Sequence, residues 1–391
     1  MSNDILRHNP DEDVDGFDQI EDLGGHASPI KPWDPGRIRI TTKSFTLREV
    51  VDQIKDGDID LSPDFQREYV WKERQRTRLI ESVLLGIPLP AFYFNQDEYG
   101  SYQVVDGVQR LSTVSLFMDG QHRLSGSDLE YLADLDGLTY HELDPAALRR
   151  FRSTQIVVHV IEPQTPDEVK YDIFNRVNTL GSPLSAQEIR HAMSGSRSRT
   201  FIGQLAESDA FDAATEYQYW KKLPDGSSVR DSSRMANREL VLRFCAFRIC
   251  TIEQYRQFAS LDAFLMNFTK RLDGTVEIPI SDNELQSLKA DFDRAMLAAK
   301  DILGPAAFRR WPLGADRRGP INRAVFEAQA NALADQTPEN LAEHSEAIVQ
   351  AFRHAFADPE YLRSVTVSTG DPRRVAYRLN ETRAILRGAL E

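Results

Sequence analysis

Cysteine is almost missing from this 391-residue chain. Its two copies, Cys245 and Cys250, sit five apart in one apolar stretch. At that spacing they face different directions on a helix, so a disulfide framework is excluded and buried free thiols in a reducing cytoplasm are expected. Long hydrophobic runs are also missing, and Met1-Ser2-Asn3-Asp4 shows no signal-peptide pattern. The expectation is therefore a cytoplasmic chain with no membrane span. A surplus of positive charge is missing too. The net charge is −13, so the molecule as a whole repels nucleic acid. No internal repeat is evident.

The charge that is present is uneven. Residues 1–25 carry eight acids against Arg7, a balance of −7, and the remainder holds only −6. Residues 1–36 are acidic, aperiodic and punctuated by glycine and proline, which predicts a disordered arm. Two basic runs stand out, Arg67–Arg78 and Arg309–Arg323. A solvated helix face is the plain reading of each, and a grip on DNA is a sharper one for Arg67–Arg78.

From residue 37 the pattern becomes α/β. Arg37–Ile40 alternates like a short strand. Thr46-Leu47-Arg48-Glu49 is a capping box that opens a helix closed by Gly57. Lys72–Leu85 reads as a helix stopped by Gly86, and Ile87-Pro88-Leu89-Pro90 cannot continue it. Ala91–Asn95 and Tyr102–Val105 read as a hairpin around the turn Asp97–Gly100. A short helix is expected at Asp128–Leu132, another at Pro145–Arg152, a strand at Thr154–Ile161 and a helix at Pro166–Val177. A second capping box, Ser185-Ala186-Gln187-Glu188, opens a helix through Met193. Beyond about residue 197 amphipathic helices dominate, with Val276–Ile280 the sole candidate strand. The expected organisation is an arm (1–36), an α/β domain with a small mixed sheet (37–195) and an all-α domain (196–391).

The stretch that organises this pattern is Tyr102-Gln103-Val104-Val105-Asp106-Gly107-Val108-Gln109-Arg110. It reads as a strand, a tight glycine turn and a helix start. The first N–H groups of such a helix lack partners and point at the turn, with the positive end of the helix dipole behind them. An oxyanion, most often a phosphate, is favoured there. Gly107 lets a ligand approach the backbone at Val108. Gln109 and Arg110 add donors, and Arg110 can clamp two phosphate oxygens. Asp106 suits a helix cap, a Mg²⁺ ligand or a group that orients attacking water.

The run Phe65-Gln66-Arg67, with Trp71, Leu79-Ile80-Glu81-Ser82, Pro88-Leu89-Pro90, Asp106-Gly107, Gln109-Arg110, Phe174-Asn175-Arg176-Val177-Asn178 and Leu184-Ser185, resembles the N-terminal (GmrS-type) domain of GmrSD-like restriction systems. The family signature is Asp-Gly-Gln-Gln-Arg, and Val108 stands here in place of its first Gln. The resemblance implies a ParB/sulfiredoxin-like fold that binds and hydrolyses nucleoside triphosphate with Mg²⁺, in bacterial defence against phage. On that pattern Asp106, Gln109 and Arg110 are catalytic, with Asp106 on the metal. Gln66, Arg67, Gly107, Val108, Arg176 and Asn178 bind nucleotide. The HNH nuclease that usually accompanies the family is not evident: the C-terminal half holds only His344 and His354, without zinc-ligand spacing. The expected partners are a nucleoside triphosphate, DNA and a separately encoded nuclease. The competing expectation is a non-catalytic module that binds DNA or nucleotide and docks that nuclease.

Overall fold

The computed structural model describes residues 35–61, 71–177, 185–223, 226–231 and 233–391. The expected arm (1–36) and the segment holding Gln66 and Arg67 lie largely outside the described residues, as do Asn178 and the loop after it. The chain divides into two compact units, with the boundary between Met193 and Ser194.

The first unit is built on a five-stranded mixed sheet ordered β1-β5-β3-β4-β2, where β1 is Ile40–Thr46, β2 Ile59–Asp60, β3 Phe92–Gln96, β4 Tyr102–Asp106 and β5 Gln155–Ile161. β1 runs antiparallel to β5, β5 parallel to β3, β3 antiparallel to β4, and β4 parallel to β2. The first strand begins later than the alternation suggested: Pro35–Arg37 is a 3₁₀ turn and pairing starts at Ile40. Side chains alternate across the strands. One face carries Phe45, Ile156, Val158, Phe92, Phe94 and Val104 into the main core. The helices that cover it are α1 (Leu47–Asp56), α2 (Glu73–Leu85), α3 (Val108–Met118) and α4 (Pro145–Ser153). The other face is covered over part of its width. There Val105 and Ile161 pack against Phe174 of α5 (Asp167–Val177) and Ile189 and Ala192 of α6 (Ala186–Ala192).

The capping boxes fold as read. Thr46 accepts from Glu49 N and Glu49 from Thr46 N at the start of α1, and Ser185 and Glu188 do the same for α6. The helix expected at Asp128–Leu132 does not form. Its N–H groups turn instead to the Glu81 carboxylate, which accepts from Glu130 (2.9 Å), Tyr131 (2.6 Å) and Leu132 (3.0 Å). Only a 3₁₀ turn, Ala133–Leu135, follows.

The second unit is mostly helical, around a core drawn from α7 (Ser196–Ala206), α9 (Ala236–Ile249), α11 (Leu261–Asp273), α12 (Asp282–Ala298), α13 (Arg323–Leu333) and α17 (Pro372–Ala389). The shorter α8 (Asp209–Ala214), α10 (Ile252–Tyr255), α14 (Pro338–Glu343), α15 (Ser345–His354) and α16 (Pro359–Ser364) complete it. Its strands are not where the sequence suggested. A small antiparallel pair forms between β6 (Trp220–Lys222) and β7 (Ser228–Arg230). Val276–Ile280 instead closes back on the end of α11, through Ile280 N to Arg271 O (2.9 Å) and Arg271 Nε to Ile278 O (3.0 Å).

Three of these helices are joined through buried charge. Arg323 lies 3.4 Å from Glu239, Glu239 accepts from Arg243 (2.7 Å), Arg243 lies 3.7 Å from Glu327, and Glu327 accepts from Arg378 Nε (2.8 Å). Arg378 and Glu327 are fully buried, and Arg378 also donates to Thr369 O (2.7 Å) and Ser364 O (3.2 Å). Removing one member strands its partner's charge away from water.

Two outcomes are expected. Glu327→Ala should lower unfolding stability by about 3–5 kcal/mol in urea titration, with the Glu327→Gln variant less affected. Glu81 gives a pH signature. Burial works against its charge, but the N–H bonds from Tyr131, Leu132 and Glu130, helped by Arg78, outweigh burial and hold its pKa below the usual glutamate value. A depressed carboxylate stabilises the fold above its unfolded pKa and loses that contribution as pH falls through the folded one. Glu81→Gln should therefore cost about 1–3 kcal/mol at pH 7, with the gap from wild type closing in acid. An equal gap at pH 7 and pH 3 would contradict this.

Candidate functional site

The corner between β4 and α3 follows from a steric demand at one residue. Gly107 adopts φ 101°, the left-handed region, and caps the N-terminus of α3. A Cβ built there would lie 2.2 Å from Cδ1 of Phe92, a side chain that is completely buried in the neighbouring strand. Only glycine allows the strand to turn into the helix over that ring. No side chain caps α3, so Asp106 is not its cap. The first amide of the helix to find an acceptor is Leu111, bonded to Gly107 O at 2.9 Å. Among the described residues, the amides of Val108, Gln109 and Arg110 have none.

Asp106 ends β4 beside a β-bulge: Phe94 pairs with Val104, but Tyr93 pairs with Asp106, which leaves Val105 as the extra residue. Bulges re-aim the side chains that follow them. The Asp106 carboxylate meets Arg110, one turn on, at 2.7 Å. The Arg110 guanidinium lies over the Phe92 ring, 4.1 Å from its centroid, and donates to Pro90 O and to Ala91 O (3.3 Å). Three of its five N–H groups are thus engaged by the protein. Burial lowers its pKa from the ordinary arginine value, while the charge and hydrogen bond of Asp106 pull the other way. Asp106 is the more open of the two, its side chain 33% exposed against 13% for Arg110. The Gln109 Oε1 atom is buried and, among the described residues, accepts no hydrogen bond. An acceptor in that state costs about 1–3 kcal/mol until a donor reaches it.

The sequence-predicted residues therefore divide. Asp106, Gly107, Val108, Gln109 and Arg110 form one corner, with Val108 anchored against the main core. Arg176 stands exposed in the last turn of α5, whose Phe174 packs with Val105 on the second sheet face. Gln66, Arg67 and Asn178 lie outside the described residues. Phe92 and the carbonyls of Pro90 and Ala91 were not singled out by sequence, although Pro88-Leu89-Pro90 marked the loop that presents them.

Among the described residues no group of three or more His, Cys, Asp or Glu side chains is placed to hold a metal. One carboxylate beside the helix start still fits Mg²⁺, which characteristically takes one or two carboxylates and completes its shell with phosphate oxygens and water. A stand-alone metal cage does not fit. Within the basic runs Arg76, Arg78, Arg309 and Arg318 are engaged in the fold, while Lys72 and Arg74 are exposed and Arg67 lies outside the described residues. Arg76 donates to Trp71 O (2.9 Å), and Arg78 to Asp128 O (3.0 Å) and Glu130. Arg309 donates to Gly319 O (3.3 Å) and Gln218 (3.0 Å), and Arg318 to Glu216 and Pro305 O (3.1 Å). No helix of the described residues is long and apolar enough to cross a membrane.

The first unit is thus a mixed sheet whose fourth strand turns through glycine into a helix without a side-chain cap. Residues 47–194 match the family model for the GmrSD restriction endonuclease, N-terminal domain. No curated protein matches the chain. Among solved structures it is similar to the Pnob8-like ParB-N domain in its C2221 form, at 12% identity over 90% of this chain and 99% of that one, with a TM-score of 0.22.

Gly107→Ala should destabilise the first unit well beyond the backbone penalty alone. Gly137 provides the comparison, with φ 75° and open space around a built Cβ. Gly137→Ala should cost about 1–2 kcal/mol, and Gly107→Ala clearly more in the same urea titration. Equal costs would show that the Phe92 contact does not constrain the corner.

Proposed function

We propose that the first unit binds a nucleoside triphosphate at the α3 N-terminus and hydrolyses it with Mg²⁺, as the nucleotide-dependent part of a restriction-type defence system. The observation that carries this reading is the trio of unpaired amides at Val108, Gln109 and Arg110, beside a single half-open carboxylate. Phosphoryl transfer needs placement and charge neutralisation rather than covalent help. The amides and the helix dipole receive the phosphate oxygens. Gln109 Oε1 accepts from the attacking water and so orients it. Asp106 holds the Mg²⁺ that neutralises the phosphates. Arg110 fixes the Asp106 carboxylate through their ion pair, and its two remaining N–H groups are the ones free to reach phosphate. Gln66, Arg67, Arg176 and Asn178 complete the nucleotide site in this reading. Hydrolysis is coupled to a separately encoded nuclease that acts on DNA.

The charge of −13 and the engagement of Arg76 and Arg78 within the fold favour this reading over a module that grips DNA directly. Purified protein should release phosphate from at least one of the four ribonucleoside triphosphates, only with Mg²⁺. Asp106→Ala and Gln109→Ala should each cut turnover by about 100-fold or more, with circular dichroism unchanged. Release that survives Asp106→Ala, or no release from any of the four, would overturn the proposal.

A further inference from the structure

The sheet registers place four side chains in one row that ends at the candidate corner. Thr42 of β1 pairs with His159 of β5, His159 with Tyr93 of β3, and Tyr93 with Asp106 of β4. Neighbouring strands lie about 4.8 Å apart, so the imidazole stands two strands, roughly 10 Å, from the carboxylate. The row lies on the second face of the sheet, which α5 and α6 cover only around Val105 and Ile161. Past Tyr93 that face is open: Thr42 and Ser44 are exposed, and Val157 is 43% exposed.

Two rings stand on this open strip. Tyr93 and His159 lie 5.0 Å apart, tilted by 47°. The Thr42 hydroxyl, 3.0 Å from His159 Nδ1, fixes the imidazole. Tyr93 is supported from the other side by the Val105 and Ile161 cluster. Among the described residues, neither the Tyr93 hydroxyl nor the second ring nitrogen of His159 has a hydrogen-bond partner. A strip that starts at an anion corner and presents two braced rings and two polar tips matches a ligand that is anionic at one end and flat and polar at the other.

We infer that Tyr93 and His159 seat the nucleoside part of the triphosphate, the base against the rings and the sugar or base edge against their polar tips. This rests on the nucleotide reading above and extends it from the phosphates to the remainder of the ligand. Aromatic side chains stack any base, so discrimination between bases falls to the two tips.

Calorimetry with inorganic triphosphate and with ATP, CTP, GTP and UTP, each with Mg²⁺, tests this on wild type, His159→Ala, Tyr93→Leu and Thr42→Val. In wild type at least one nucleotide should bind more tightly than triphosphate. In His159→Ala and Tyr93→Leu that ratio should fall about tenfold, the loss of one stacking contact. Thr42→Val, which keeps the ring and frees it, should give a smaller fall. If Tyr93→Leu misfolds, the half-exposed His159 decides alone. A ratio that His159→Ala leaves unchanged overturns the inference and leaves the phosphate site standing. Wild type that binds neither triphosphate nor nucleotide overturns both.

Discussion

There is no room for a side chain at residue 107, and the first unit is arranged around that fact. The Phe92 ring fills the space beneath the turn, so the chain leaves β4 with a left-handed residue and enters α3 at once. The same ring carries the Arg110 guanidinium over its face, and that guanidinium holds Asp106. One steric contact therefore sets the helix start, the arginine and the carboxylate together. The unpaired amides follow from it as well, because a glycine cap brings no side-chain acceptor to meet them.

The corner combines local simplicity with long-range support. Its polar groups lie within five consecutive residues, but the parts that hold them rigid come from elsewhere: Pro90 and Ala91 from the loop before β3, and Val105 packed against α5 and α6. The bulge at Val105 lets a strand that is otherwise regular deliver Asp106 to the open end of the sheet.

What could be read from the sequence was what neighbouring residues decide among themselves. Thr46 with Glu49, Ser185 with Glu188 and the Asp106-Gly107 turn are all settled within a few positions. What could not be read depends on distant partners. Glu81 captures three amides some fifty residues ahead and so cancels a local helix tendency at Asp128–Leu132. Arg271 turns Val276–Ile280 away from a strand. The β6–β7 pair was missed although Leu223-Pro224-Asp225-Gly226 holds a turn signal, because three-residue strands show no usable period. At the corner, the pairing of Arg110 with Asp106 is an i, i+4 relation visible in sequence. Its seat on Phe92 is not, because nothing in the order of residues says that position 92 lies under position 107. His159 and Thr42 were invisible for the same reason: their row exists only once the strand order is known.

The line of charges from Arg323 through Glu239, Arg243 and Glu327 to Arg378 restricts how the second unit can diverge. Each charge faces an opposite one in the next link, so replacing one position alone leaves a stranded ion, while replacing the set with well-packed apolar residues does not. Descendants of this chain should keep these five positions as a block or lose them as a block, and intermediates that carry a partial set should be scarce.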